Sequence, residues 1–286
     1  MCLITFQWQP DHDQRLILSA NRDEFLHRPT QPLHAWLDAE GVYAGKDLSQ
    51  GGSWLGIHNN GRFAALTNHR DMRNSGPKNP ISRGKLVVDF LTSEISALDY
   101  LQGLEKDAAL YAGYNLLVAD AHQLGYYSNA SGQPAKILAP GLYGLSNGLL
   151  DTPWPKLKSA KLKLASWLGE SAEGHSGLEK KYLGLKLGLK KEPSSLKKDL
   201  SNIGSTELCE LLSSTDVAAD LALPDTGIGI AMERILSSEK IITPNYGTRC
   251  STGLIVGKNN LTIEEISWLQ DGKEGSHVRH HVPIHR

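Results

Sequence analysis

The sequence predicts an α+β protein built from stacked β-sheets flanked by helices. Three features carry that expectation. Runs rich in β-formers lie at both ends of the chain, segments with apolar residues at helical spacing lie between them, and strand and helix never settle into regular alternation. Strands, helices, strands, helices and strands follow one another, an order that does not suit a parallel sheet of βαβ units.

The first thirty residues read as a hairpin. Cys2-Leu3-Ile4-Thr5-Phe6-Gln7-Trp8 is one strand, Pro10-Asp11-His12-Asp13 supplies the turn, and residues 15–20 return, with Asn21-Arg22-Asp23-Glu24 at the strand's end. A second β-rich region covers 42–45 and 51–57, and Asn59-Asn60-Gly61 turns the chain into a strand over 62–67. A polar loop occupies 68–80. Ser82 is placed as the cap of a helix reaching residue 91, and Ala97, Leu98, Leu101 and Leu104 mark a second helix over 96–106. Strands are expected at 114–119 and 123–128, with a third short one before Gly141.

From Pro155 the composition turns to lysine and leucine. Leu157, Ala160, Leu164 and Leu168 form an apolar face with Lys156, Lys158, Lys161 and Lys163 mostly off it, which opens a lysine-rich helical insertion at about 156–205. Residues 182–189 alternate strictly but carry Gly184 and Gly188, so strand and helix both stand open. A membrane-surface role for this basic stretch competes with a solvated insertion; the second is preferred because no aromatic anchors line one face. Residues 206–212 read as a helix in which Cys209 is core packing. Strands follow at 239–243, 247–256 and 261–268, and a polar His-bearing tail at about 275–286 is expected to be disordered or incidental. No internal repeat divides the chain, so residues 1–286 read as one domain.

The composition excludes several functions. The 286 residues carry 30 Lys plus Arg against 31 Asp plus Glu, a net charge of −1, so a dedicated nucleic-acid binder is not expected. At 40% hydrophobic and 21% charged residues, the chain is ordinary globular material rather than disordered, collagen-like or coiled-coil. Cys2, Cys209 and Cys250 cannot all pair within one chain and fit a reducing compartment. No window approaches the roughly 20 apolar residues of a membrane span, and the N-terminus lacks the pattern of a secretory signal. A cytoplasmic location is the expectation.

Cys2 is the first chemical candidate. A penultimate cysteine is small enough for the initiator Met1 to be removed, which would leave an α-amine, with an ordinary pKa of about 7.7–8.0, beside its own thiol. Nucleophile and base would then come from one residue. The tetrad Asn21-Arg22-Asp23-Glu24 is the second: if the first hairpin pairs Cys2 with the strand ending at Ala20, a carboxylate and a guanidinium fall beside the thiol. The plainer alternative is a surface turn with Arg22 and Glu24 salt-bridged to neighbours. Gly51-Gly52 is a tight turn rather than a phosphate loop, since no Gly-Lys-Ser/Thr follows. Of the lone histidines His58 and His69, the second, next to Asn68, is the better ligand contact.

These residues stand in an order that resembles a known family. Met1-Cys2, Asn21-Arg22-Asp23-Glu24, Gly51-Gly52-Ser53-Trp54-Leu55-Gly56, Thr67-Asn68, Ser82-Arg83-Gly84, Tyr114-Asn115-Leu116-Leu117, Gly144-Leu145-Ser146-Asn147, Pro153-Trp154-Pro155-Lys156 and Tyr246-Gly247-Thr248-Arg249-Cys250-Ser251-Thr252 are similar, from residue 1 to about 268, to the transport and Golgi organization protein 2 family, also named for its NRDE motif. That resemblance implies the four-layer αββα sandwich of the N-terminal-nucleophile hydrolases. It also implies Cys2 as nucleophile, Asp23 near the α-amine and Arg22 near the thiol, although Arg and Asp are spaced more tightly here than in those hydrolases. Asn68 and Asn147 are implied around the oxyanion, with Arg249 completing the polar cluster and Asn21, Asn68 and His69 as ligand contacts. Cys250 occupies a position where the family often has serine.

Two function classes follow from the resemblance. One is a hydrolase of a linear amide or thioester in a small acyl compound, needing no cofactor. The other is a non-catalytic binder, either a haem-trafficking protein or an acyl-CoA or lipid carrier. For haem, His277, His280 and His281 of the tail are the local axial candidates. That tail lacks the Cys pairs or His-Glu-x-x-His spacing of a zinc site. Either way the partner is a small molecule.

Overall fold

The computed structural model describes residues 2–74, 76–169 and 204–285. Thirteen strands form two antiparallel sheets among these residues. The six-stranded sheet has the order β10 (Gly141–Leu145), β1 (Cys2–Trp8), β2 (Gln14–Phe25), β11 (Tyr246–Gly257), β12 (Asn260–Trp268) and β13 (Glu274–Pro283). The seven-stranded sheet runs β3 (Thr30–Ala35), β4 (Val42–Asp47), β5 (Leu55–His58), β6 (Phe63–Asn68), β7 (Tyr114–Ala119), β8 (Leu124–Ser128) and β9 (Lys136–Ile137).

Side-chain parity tells the two faces of each sheet apart. Ile4, Phe6 and Trp8 of β1 and Leu16 and Leu18 of β2 meet Leu55, Ile57, Phe63 and Leu117 of the other sheet in the largest core. The alternate residues point outward to helices: Leu3 packs on Leu157 and Ala160, and Ile17 packs on Leu164 and Leu208. Those partners belong to α3 (Pro155–Trp167) and α4 (Ser205–Glu210). On the second sheet Ala64, Leu66, Leu116 and Val118 pack on Leu86 and Phe90 of α1 (Gly84–Leu91) and Leu101 of α2 (Ala97–Leu104). A further short helix, α5, spans Ile230–Ile235.

Several boundaries differ from the sequence expectation, each for a physical reason. The Asn21–Glu24 tetrad is not a turn after a strand. It lies inside β2, which is paired by β1 on one side and β11 on the other, so Arg22 and Asp23 are 5% and 0% exposed. Ser82 does not cap α1. Arg83 holds that position and makes no side-chain cap bond, because a guanidinium has no acceptor to offer the helix N–H groups; it donates instead to the Gly113 carbonyl at 2.9 Å. Residues 239–243 give only an isolated bridge, Ile242 to Gly247, while Gly141–Leu145, expected to follow a strand, is itself one. Residues 51–54 lie outside the strands, and β3 and α5 had no clear periodic signal. The lysine-rich insertion begins as α3, but residues 182–189 lie outside the described residues.

The His-bearing tail is a strand rather than a loose end. Glu274–Pro283 pairs along β12 from Asn260 to Trp268. Arg279 and His277 also satisfy the fully buried carboxylate of Glu264, which supplies a reason for order that hydropathy does not reveal.

Candidate active site

β1 and β2 set the geometry. Cys2 faces Arg22 directly across their ladder, and Arg22 faces Cys250 on its other side, so the three side chains line up on the inter-sheet face. The Arg22 guanidinium lies 4.1 Å from the centre of the Trp54 ring, donates to Thr30 Oγ1 at 3.3 Å and has Glu24 at 4.0 Å. Trp54 is delivered by a close backbone crossing. A Cβ on Gly52 would meet the carbonyl carbon of Gly84 at 2.4 Å, and Ser53 N–H donates to Gly84 O at 3.1 Å. Glycine is required there by space, and the crossing docks the start of α1, with Arg83, beside the thiol.

Cys2, 8% exposed, opens onto a cavity of about 240 Å³ lined also by Arg22, Asp23, Glu24, Asn68 and Arg83. A second, larger cavity of about 1030 Å³ shares Glu24, Asn68 and Arg83 with it and continues past His69, Met72, Met232 and Tyr246. Burial pushes the Cys2 thiol above the usual cysteine range. The charges of Asp23 and Glu24 act the same way, and Arg22 opposes them. Arg83 forms no salt bridge among the described residues, so its charge faces both cavities. Burial lowers its pKa, as it does that of His69, whose basicity is thereby reduced.

Asp23, next after Arg22 on β2, also lines the smaller cavity. Its Oδ1 accepts from Thr248 Oγ1 at 2.7 Å, and burial raises its pKa while the charge of Lys156 opposes that rise. The Lys156 side chain was expected off the apolar face of α3; it is 3% exposed and points inward instead.

The remaining expected site residues divide. Asn68 lines both cavities and His69 the larger one. Asn147 is fully buried and lines neither; its Nδ2 donates to the Asn68 carbonyl at 2.8 Å. Asn21 faces the helices, donating to the Leu212 and Glu239 carbonyls and accepting from Ser251 Oγ at 2.6 Å, so its amide is a structural tie. Arg249 is the bulge residue between Thr248 and Cys250, and its Nη1 donates to the carbonyls of Phe25, Leu26 and Arg28 at 3.0–3.1 Å. It straps the turn after β2 and lines neither cavity. The tail histidines do not converge: His277 meets Glu264, His281 meets Thr262, and His280 packs 5.0 Å from the Tyr43 ring.

Arg83 and Trp54 are the cavity-lining residues that sequence reasoning passed over. Each stood in a quoted motif, but there as a helix start and a turn. Cys209 is core, as expected, 1% exposed with Sγ donating to Glu264 O at 3.3 Å, and all three cysteines are free. Among the described residues no group of three or more His, Cys, Asp or Glu could hold a metal ion, and no helix is long and apolar enough to cross a membrane.

The fold and site thus define an α+β protein of two antiparallel sheets with a buried thiol at the sheet end, beside two adjoining cavities. Residues 1–269 match the family description Transport and Golgi organisation 2, and the chain belongs to that family. It is 33% identical to the Transport and Golgi organization protein 2 homolog of Homo sapiens, over 97% of this chain and 96% of that protein. Identity to the Mus musculus homolog is 32%, covering 94% of each. The match to the Bos taurus homolog is 43% identical and spans 55% of this chain and 60% of that protein. Among solved structures, the Caenorhabditis elegans N-acylethanolamine-hydrolyzing acid amidase ortholog gives a TM-score of 0.48 at 11% identity, covering 90% of this chain and 93% of that one. A conjugated bile acid hydrolase from Clostridium perfringens gives 0.39 at 11% identity, over 98% and 96%.

Proposed function

We propose that this protein is a cysteine hydrolase of linear amides or thioesters in small acyl compounds, with Cys2 as nucleophile. The observation that carries the reading is the placement of the Cys2 thiol on the wall of a small polar cavity that adjoins a larger, more apolar one. The motif resemblance to N-terminal-nucleophile hydrolases supports it. So does the packing of helices on the outer faces of both sheets, read here as the four-layer αββα sandwich.

In this reading Met1 is removed and the α-amine of Cys2 takes the thiol proton. The thiolate adds to the substrate carbonyl carbon, and the C–N or C–S bond breaks as the leaving group collects that proton. Water then hydrolyses the acyl-cysteine, returning the thiol and releasing the acid. Arg22 and Asn68, on the cavity wall, face the developing oxyanion. Asn147 acts one step back by fixing Asn68 through its carbonyl, and Asp23 orients the amine. The acyl portion extends into the larger cavity.

A panel of short acyl thioesters and amides tests this. Turnover by wild type and its loss, by at least about a hundredfold, in a folded Cys2→Ala variant is the expected result. Turnover that survives in C2A removes the reading.

A second reading, a non-catalytic binder of haem or of an acyl-CoA or lipid, is favoured by one observation: the larger cavity, with His69 on its wall, has room for a ligand of that size. Titration with haemin distinguishes it. A Soret shift weakened by His69→Ala supports haem, and no shift at micromolar haemin removes it.

A further inference from the structure

We infer that Arg83 sets the specificity of the Cys2 site, its guanidinium binding a carboxylate that the substrate carries beside the scissile carbonyl; this rests on the reading of Cys2 as the acyl acceptor. Arg83 stands at the N-cap of α1 and walls both the smaller cavity, together with Cys2, and the larger one. One nitrogen fixes it in place. Nη1 donates to the Gly113 carbonyl at 2.9 Å, and the same oxygen accepts from the His69 N–H at 2.9 Å, which ties the guanidinium to the chain just after β6 and just before β7. Nε and Nη2 meet no acceptor among the described residues. Those two donors form an edge with which an arginine holds a planar carboxylate. Arg28 uses that same edge on Asp47 Oδ2, from Nε at 2.9 Å and from Nη2 at 2.7 Å.

The wall of the smaller cavity carries three carboxylates and three guanidiniums, and pairing rather than net charge sets Arg83 apart. Asp47 takes Arg28, and Glu24 lies between Arg28 at 3.9 Å and Arg22 at 4.0 Å. Asp23 accepts from Thr248 Oγ1 at 2.7 Å. On the larger cavity Arg70 is bound to Glu233 at 2.6 Å, and Asp71 to Arg73 at 2.8 Å. Among the described residues, Arg83 is the one arginine of either wall without a carboxylate partner. A single such edge suits a carboxylate. A phosphate dianion would call for a second cation, and Arg22, Arg28 and Arg70 each already have a carboxylate beside them. Because Arg83 and the thiol share the smaller cavity, a carboxylate held there lies close to the carbonyl under attack, and the larger cavity is left to the apolar part of the substrate.

Paired alkylation of Cys2 by iodoacetate and iodoacetamide, read by peptide mass mapping at pH 8, tests this on the full chain. The two reagents differ in a carboxylate against a carboxamide and consume the same thiolate, so their rate ratio cancels any change in the thiol pKa. In native wild type the iodoacetate-to-iodoacetamide ratio is expected to exceed that of the urea-unfolded chain by at least about fivefold. Arg83→Gln should lower the native ratio by about five- to tenfold, and Arg83→Lys, which keeps the charge, should stay within about threefold of wild type. A purely structural role would move both rates together and leave the ratio unchanged. A native wild-type ratio no higher than the unfolded one, or a folded R83Q with the wild-type ratio, overturns the inference. If thermal melts show that R83Q does not fold, the native-to-unfolded comparison decides alone. Turnover is scored separately on octanoyl thioesters of 3-mercaptopropionate and 3-mercaptopropionamide, with the charged one preferred in wild type by about tenfold in kcat/KM. Absence of turnover on both removes the hydrolase reading while the alkylation ratio still decides Arg83; turnover with no preference for the charged thioester removes only the role of Arg83.

Discussion

Cys2 and Arg22 occupy directly opposed positions on β1 and β2, and the Arg22 guanidinium is stacked 4.1 Å from the centre of the Trp54 ring. The thiol therefore has a fixed cation beside it in a place where burial otherwise holds it protonated. Removing that cation as Arg22→Met should slow Cys2 alkylation at pH 8 by about three- to tenfold. In wild type the Cys2 peptide should label ahead of those of Cys209 and Cys250, whose thiols burial also raises and which line neither cavity. Quantified peptide labelling checks both statements.

Gly52→Ala should unseat the cavity wall. The added Cβ would fall 2.4 Å from the Gly84 carbonyl carbon, a backbone atom that cannot swing aside. Overpacking of that kind costs about 1–3 kcal/mol, and relief by moving α1 shifts Arg83. A lowered Tm with altered Cys2 labelling is the expected pair of results; a Tm change without any change at Cys2 would separate the crossing from the site.

Arg249→Met should act on stability rather than on the cavity charge. It strands the Phe25, Leu26 and Arg28 carbonyls, for a cost of about 1–3 kcal/mol, read as a lower urea midpoint. Cys2 labelling at pH 8 should stay within about threefold of wild type.

The Glu264 cluster predicts an acid-dependent loss of stability. Burial alone would raise this carboxyl, but hydrogen bonds from Arg279, Ser205, His277 and Thr206 hold it at about 2. A folded pKa below the unfolded value contributes stability that is present above about pH 4.5 and is lost as pH falls toward 2. Arg279 is half exposed, which screens the pair, so Glu264→Gln should cost about 2 kcal/mol at pH 7. Urea denaturation of both proteins should show that gap closing between pH 4.5 and 2.5.

Much of the fold was legible because alternation and turn chemistry are local. Cys2–Trp8, the Asn59-Asn60-Gly61 turn and the strands near 114–128 and 247–268 needed no partner to be seen. What failed was non-local. The tetrad looked like a polar turn because strand pairing on both sides of β2, which alone justifies burying Arg22 and Asp23, is invisible from within the segment. Arg249 looked like a cluster member until the bulge aimed it at three carbonyls. Lys156 looked like helix surface because helical periodicity assigns a face but not which charges lie opposite it. Cys2, Arg22, Asp23 and Asn68 were placed together by motif order, and they do share one cavity.

The central claim is that the Cys2 thiol is an acyl acceptor in the mature chain. Intact-mass spectrometry of freshly purified protein mixed with a short acyl thioester, quenched in acid and mapped by peptide, tests it in one experiment. The account predicts a chain lacking Met1 and carrying one acyl group on Cys2. A chain that retains Met1 and shows no adduct at Cys2 would contradict it.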